Sequence, residues 1–169
     1  MLNEKELINK IEKSGYNYEL FKHKALFTVE ESIKFRDNIK GLHSKNLFLK
    51  NKKNEFFLFS CLENTKINLK EISKSLKIGN LSFAKENYLK ECLGVIPGSV
   101  TPFGLLNDIE NKVIFFCDSK FLKNQIVNFH PLTNTSTIGM KIEDFINFLI
   151  ENKKKVNIYD FNSYSLIKP

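Results

Sequence analysis

Apolar residues Leu7, Ile8 and Ile11 fall on one face when residues 4–13 are wound as a helix. Asn3 and Glu6 have capping-box spacing at its start, and Gly15 supplies its stop. Residues 18–27 suit extended structure, after which Thr28 and Glu31 repeat the capping spacing and open a second helix toward Ile39, ended by Gly41. Strand-like runs at 46–49 and 55–61 flank the polar segment 51–54, which predicts an antiparallel hairpin. Asn68 with Glu71 opens a third helix to Leu76. A short extended piece at 81–83 leads to a fourth helix over 87–93, closed by Gly94.

Residues 97–107 are rich in Gly and Pro and too irregular for helix or strand, whereas 113–117 is a continuous apolar run of the kind found at a sheet centre. Two further strands at 127–129 and 136–140, an amphipathic helix over 142–150 and a strand at 156–159 complete the pattern. Short polar connections favour antiparallel pairings over repeated βαβ crossovers. The expected class is α+β or mixed α/β, in one domain spanning residues 1–169, without internal repeat or low-complexity linker.

Composition adds a little to this picture. A 169-residue chain that is 42% hydrophobic can bury one real core, and 16 Phe with no Trp make that core phenylalanine-rich. The net charge of +7 suits a phosphate-rich partner, nucleic acid first. Arg36 is the only arginine, however, so a soluble, lysine-covered surface is the alternative reading. Cys61, Cys92 and Cys117 lie far apart beside apolar runs, which points to small buried residues in a reducing compartment and to no zinc site. The N-terminal residues carry charges through their apolar positions and do not form a signal-peptide core. No stretch approaches a membrane span, so the expected location is the cytoplasm. Dinucleotide, P-loop, zincin and serine-esterase motifs are all missing.

Three segments combine polar groups with constrained backbone. In GLHSKNLFL, Lys45 and Asn46 stand at the mouth of a strand. An ammonium there could meet a phosphate or a developing oxyanion and an amide could orient a substrate, although a solvated lysine is the commoner role in a lysine-rich chain. In PGSVTPFGLLND, Gly98, Ser99, Val100, Thr101 and Pro102 form a G-x-x-x-P loop whose backbone amides suit an oxyanion cradle; the bland reading is a turn. In FHPLTNTSTIGM, His130 lies between Phe129 and Pro131, followed by a dense set of hydroxyls and amides that includes Asn134. His23 sits between Lys22 and Lys24, at a surface that could meet phosphate.

At these segments the sequence resembles the YbaK and prolyl-tRNA-synthetase-associated editing superfamily, and most closely its free-standing, alanine-specific branch. ALFTVEES at 25–32, LSFA at 81–84 and VIFFCD at 113–118 extend the likeness over roughly residues 18–160. The resemblance implies a mixed, largely antiparallel, partly barrel-like sheet flanked by helices, with a pocket for the aminoacylated terminal adenosine of tRNA. It further implies a hydrolase that needs no metal or cofactor and acts in trans on mischarged Ala-tRNA(Pro), sparing Pro-tRNA(Pro). Its partners would be that tRNA and, transiently, prolyl-tRNA synthetase, with no membrane.

In that reading Lys45, the Gly98 to Pro102 loop and His130 are catalytic. Phe27, Thr28, Asn46, Asn134 and Ile138 bind substrate, with Phe27, Val100 and Ile138 as walls, and Lys22, His23, Lys24 and Lys45 face tRNA. A deacylase of the same fold for cysteine or serine, or a non-catalytic tRNA- or synthetase-binding module, are the alternatives. Lys24 and Lys85 depart from the small or proline residues expected beside them.

Overall fold

The computed structural model describes residues 1–25, 29–36, 38–123 and 125–168. Helix α1 (Glu4–Lys13) forms where the apolar periodicity puts it: Asn3 Oδ1 accepts from the Glu6 amide and Glu6 Oε2 accepts from the Asn3 amide, each at 2.9 Å. Leu7 and Ile11 are its buried positions. β1 (Glu19–Lys22) follows, then α2 (Val29–Arg36), which stops short of Ile39; Thr28, expected to cap it, lies outside the described residues.

β2 (Leu42–Lys50) and β3 (Phe56–Leu62) pair antiparallel from Ser44↔Leu62 to Lys50↔Phe56 around the 51–54 turn. β2 begins four residues before the apolar run that announced it, because partners on both sides hold its polar start. α3 (Leu69–Leu76) is capped by Asn68, and β4 (Ser82–Phe83) pairs with the end of β2. α4 (Glu86–Tyr88) continues as a single π turn, Leu89–Leu93.

The segment expected to be irregular is so only in its first half, since Pro102–Asn107 is a 3₁₀ helix. Thr101 Oγ1 accepts from the Phe103 amide, Pro102 fits the first helical position, and Phe103 is fully buried, so local capping and a core anchor order a Gly- and Pro-rich stretch. β5 (Val113–Asp118), β6 (Ile126–Phe129), β7 (Ser136–Lys141), α5 (Ile142–Glu151) and β8 (Asn157–Asp160) then follow. A last strand, β9 (Ser165–Ile167), is exposed throughout and too short to give a periodic signal.

The sheet runs β1-β7-β6-β2-β3-β5-β8-β9. Its β1·β7, β7·β6, β2·β3, β2·β4 and β8·β9 pairs are antiparallel, while β2·β6, β3·β5 and β5·β8 are parallel. The fold is therefore mixed α+β with a mostly antiparallel sheet flanked by helices. β5 is central, as its apolar run indicates.

Side chains of β2 and β3 alternate between two cores. Phe48, Leu58 and Phe56 join the larger one with Phe103, Phe129, Phe145 and Phe148, and Leu49, Phe57 and Phe59 join a smaller one with Ile72 and Tyr159. Cys61, Cys92 and Cys117 are buried free thiols, and burial raises the pKa of each. No helix among the described residues is long and apolar enough to cross a membrane.

Candidate active site

β2 and β6 pair only over Leu42↔Val127 and His43↔Asn128. Gly41 makes this approach possible: its φ is +101°, and a Cβ there would lie 2.6 Å from the Ile126 carbonyl oxygen. Beyond the pairing the Ser44 hydroxyl donates to the Asn128 carbonyl at 2.8 Å, and the strands part. A cleft of about 190 Å³ opens there, lined by Phe35, Ser44, Asn46, Asn128, His130 and Thr137 among others.

Two residues singled out in the sequence, Asn46 and His130, meet in this cleft. Asn46 is held from below, because its Oδ1 accepts from the fully buried Ser60 hydroxyl and its Nδ2 reaches Ser44 Oγ at 3.4 Å. His130 Nδ1 lies 2.9 Å from the Ser136 carbonyl. A carbonyl only accepts, so Nδ1 carries the proton and Nε2 keeps its lone pair. Burial lowers the His130 pKa below its ordinary value; the Ser136 carbonyl opposes this and the His23 charge adds to it. The imidazole is thus neutral near pH 7.

His23 is turned inward from the tRNA-facing rim that its lysine neighbours suggest. Its Nδ1 lies 2.7 Å from the Lys24 carbonyl, its Nε2 2.9 Å from Thr137 Oγ1, and its ring 4.3 Å from that of Phe35 and 6.3 Å from that of His130. It braces the Phe35 wall of the cleft against β7.

The Gly98 to Pro102 loop meets the segment after His130 through Asn134. Gly98 has φ +88°, and a Cβ there would sit 3.5 Å from Asn134 Nδ2, an ordinary contact; the glycine is needed for its backbone and not for space. The Ser99 amide donates to the Ile96 carbonyl at 3.0 Å, so the donors left to an oxyanion are the other amides of the loop. Ser99 Oγ and Asn134 Nδ2 are both buried and have no hydrogen-bond partner among the described residues. Such groups cost free energy unless something satisfies them, and both belong to the segments expected to hold substrate. Phe103 fixes the loop by packing edge-on against Phe129 and Phe145, at 6.1 and 5.3 Å between ring centres, which ties it to the end of β6, next to His130. Thr101 and Pro102 are buried and Val100 half-buried.

Other expected residues lie elsewhere. Lys45 shares a sheet face with its partner Cys61, opposite to Asn46 and Ser60, and its ammonium donates to the Thr65 carbonyl outside this cleft. Ile138 is fully buried in the larger core. Lys22 pairs with Glu4 at 2.5 Å, Lys24 is exposed, and Phe27 and Thr28 lie outside the described residues. Ser44 and Ser60 are not among the expected site residues, and Thr137 is expected only as one of the hydroxyls that follow His130. Ser60 has a signal, a hydroxyl in the middle of the apolar run FFLFSCL; that Thr137 faces the cleft is set by the β7 register.

The strands thus part over a neutral histidine and a buttressed amide, and the Gly98 to Pro102 loop is anchored to the same sheet through Phe103 and Phe129. Residues 23–148 match the family model described as the aminoacyl-tRNA editing domain, and the chain belongs to that family. It is 43% identical over 136 residues to the prolyl-tRNA synthetase associated domain-containing protein 1 of Bos taurus, covering 78% of this chain and 79% of that one. It is 32% identical over 139 residues to the prolyl-tRNA editing protein ProX of Acetoanaerobium sticklandii, covering 82% and 85%. A crystal structure described as a candidate trans-editing enzyme for prolyl tRNA synthetase superposes with a TM-score of 0.67 at 16% identity, over 100% of this chain and 99% of that one, which is a likeness of fold.

Proposed function

We propose that the protein is a trans-acting aminoacyl-tRNA deacylase that hydrolyses mischarged Ala-tRNA(Pro) and spares Pro-tRNA(Pro), working in the cytoplasm with prolyl-tRNA synthetase as a transient partner. Membership of the editing family, and likeness to relatives named for prolyl-tRNA editing, support the reaction class and the tRNA. The observation that carries the reading is the cleft itself: about 190 Å³, with neutral His130 beside Asn46.

An aminoacyl ester is already activated, so the protein has to place a water and stabilise charge on the carbonyl oxygen. Water adds to the ester carbonyl carbon, the bond from that carbon to the ribose oxygen breaks, and alanine and a free ribose hydroxyl leave. His130 Nε2 is the acceptor that can orient or polarise the water. Asn46 positions the acyl group, and loop amides around Val100 and Thr101 hold the oxyanion. Asn134 Nδ2 and Ser99 Oγ face the ligand that satisfies them, and Val100 contributes a wall.

The small cleft gives the specificity a size logic. A prolyl synthetase pocket rejects the smaller alanine by only about 1–3 kcal/mol, and a second pocket too small for proline clears the error.

The test is a deacylation time course of the purified protein on Ala-tRNA(Pro), Cys-tRNA(Pro), Ser-tRNA(Pro) and Pro-tRNA(Pro). The expected result is hydrolysis of the alanyl form alone. Preference for the cysteinyl or seryl ester would keep the deacylase and discard alanine as its substrate, and no hydrolysis of any of the four would remove the reading.

A further inference from the structure

On the sheet face away from His130, a second cleft of about 390 Å³ is lined by Thr65, Lys66, Lys120, Asn162 and Tyr164 among others. Lys45 reaches its edge, donating to the Thr65 carbonyl. Lys66 and Lys120 are exposed, and neither makes an ion pair among the described residues. The nearby carboxylates are engaged by backbone. Asp118 accepts from the Leu62 and Lys120 amides at 2.9 and 3.0 Å, and Asp160 Oδ1 from the Asn162 amide at 2.8 Å. Neither ammonium is held in an ion pair among these residues, although Asp118 and Asp160 keep their charges nearby and Asp160 feels the field of Lys120.

A second, independent observation points to a ligand. Thr65 is 6% exposed and lines the cleft, yet its hydroxyl is buried and without a hydrogen-bond partner among the described residues. A buried hydroxyl left unpaired costs about 1–3 kcal/mol, which an incoming acceptor can recover. Lysines from two separate loops, an unpartnered hydroxyl, and the Asn162 amide and Tyr164 phenol at the same opening make a donor set for a compact, multiply accepting anion. Burial raises the Cys61 pKa, Lys45 pulls it down, Asp118 raises it and Lys120 pulls it down, so Lys45 and Lys120 act on this side of the sheet together with the Asp118 carboxylate.

We infer that this second cleft is a phosphate-binding subsite, built on Lys66, Lys120 and Thr65, that grips a backbone phosphodiester of RNA. The inference deepens the deacylase reading and rests on it for the identity of the RNA, a proline tRNA. Lys45 connects the two clefts along β2: its strand neighbour Asn46 lines the first, while its own ammonium donates to the carbonyl of Thr65, which lines the second. One strand thus couples backbone grip to the hydrolytic cleft, and a phosphate held on one face sets where the chain enters the other.

The experiment uses the full chain and uncharged proline tRNA, so that its outcome does not depend on hydrolysis. For the Lys66→Ala/Lys120→Ala double variant, the ratio of Kd at 200 mM to Kd at 50 mM salt should fall roughly tenfold, as expected for two lost phosphate contacts. Lys52→Ala/Lys53→Ala removes the same charge from the β2–β3 turn and should leave that ratio nearly unchanged. Equal effects of the two double variants would overturn the subsite in favour of overall charge. Thr65→Val should weaken binding with little change in salt dependence; a Thr65→Val protein that binds as wild type removes the hydroxyl from the site.

Amide resonances give the ligand class. Single-stranded RNA should shift Thr65, Lys66, Lys120 and Asn162, whereas shifts on titrating inorganic phosphate at constant ionic strength, with none from RNA, would overturn the RNA assignment. A wild-type protein that binds tRNA but hydrolyses no ester removes the proposed activity and leaves the subsite standing. One that binds no tRNA removes the subsite.

Discussion

The chemistry of the first cleft rests on which proton His130 carries. The Ser136 carbonyl fixes Nδ1–H, and burial keeps the ring neutral. Because the folded pKa lies below the ordinary 6.5, kcat/KM should show an acid limb below pH 6.5 that His130→Ala abolishes together with most of the rate, as a pH–rate profile would show. The stability sign follows from the same shift. As pH falls below 6.5 the unfolded chain takes up this proton before the folded one does, so the His130 contribution to stability declines until the folded group titrates. In the His130→Asn variant that part of the acid loss should vanish from urea midpoints measured across pH. The loop offers a second contrast. Ser99→Ala should retain much of the rate, because the loop acts through backbone amides and the Ser99 hydroxyl only contacts ligand. Gly98→Ala forces an alanine into φ +88° and should cost on the order of a hundredfold in turnover, read beside the melting temperature. A covalent alanyl adduct on Ser99 would replace this mechanism with a nucleophilic one.

Among the elements, the start of β2 decides whether the cleft exists. A Cβ on Gly41 would lie 2.6 Å from the Ile126 carbonyl oxygen and 2.9 Å from its Cγ2, and the backbone conformation there is one that L side chains rarely adopt. Gly41→Ala should therefore destabilise the protein by about 1–3 kcal/mol, and should depress turnover beyond that by shifting β2 against β6. Equilibrium unfolding and kinetics on the folded fraction separate the two effects; a variant of normal stability and rate would show that the strands can reseat. Helix α1 gives a milder case. Asn3→Ala removes a capping box and should cost about 1 kcal/mol without touching the reaction. The elements legible in the sequence are those with a local cause: α1 and α3 through their caps, the 51–54 turn through its polar run, and β5 through its apolar one. Local features also single out Gly98, Asn46 and His130 as candidates, through glycine and proline spacing, a polar pair at a strand mouth and an isolated imidazole, and the family resemblance gives them their expected roles. The 3₁₀ helix at Pro102–Asn107 was hidden because Phe103 orders it from the core, and β9 because three exposed residues carry no period.

For the whole molecule, the charge of +7 predicts tRNA binding that weakens steeply with salt, and titration of Kd between 50 and 200 mM measures it. A flat dependence would mean that the lysines only solubilise the surface. What the sequence determined by itself is whatever rests on neighbours in the chain: caps, turns, apolar runs, the glycine and proline that mark the 98–102 loop, and the segments by which the editing family is recognised. The tertiary structure alone decided which of these residues share a site. Strand alternation is a period of two, so adjacent Lys45 and Asn46 go to opposite faces, and only the pairing of β2 with both β3 and β6 says what each face meets. His23 reads as a surface residue beside two lysines until β7 sets Thr137 against it, and Ile138 reads as a wall until the same register buries it in the core. Facing and burial depend on partners many residues away, and no local pattern encodes them.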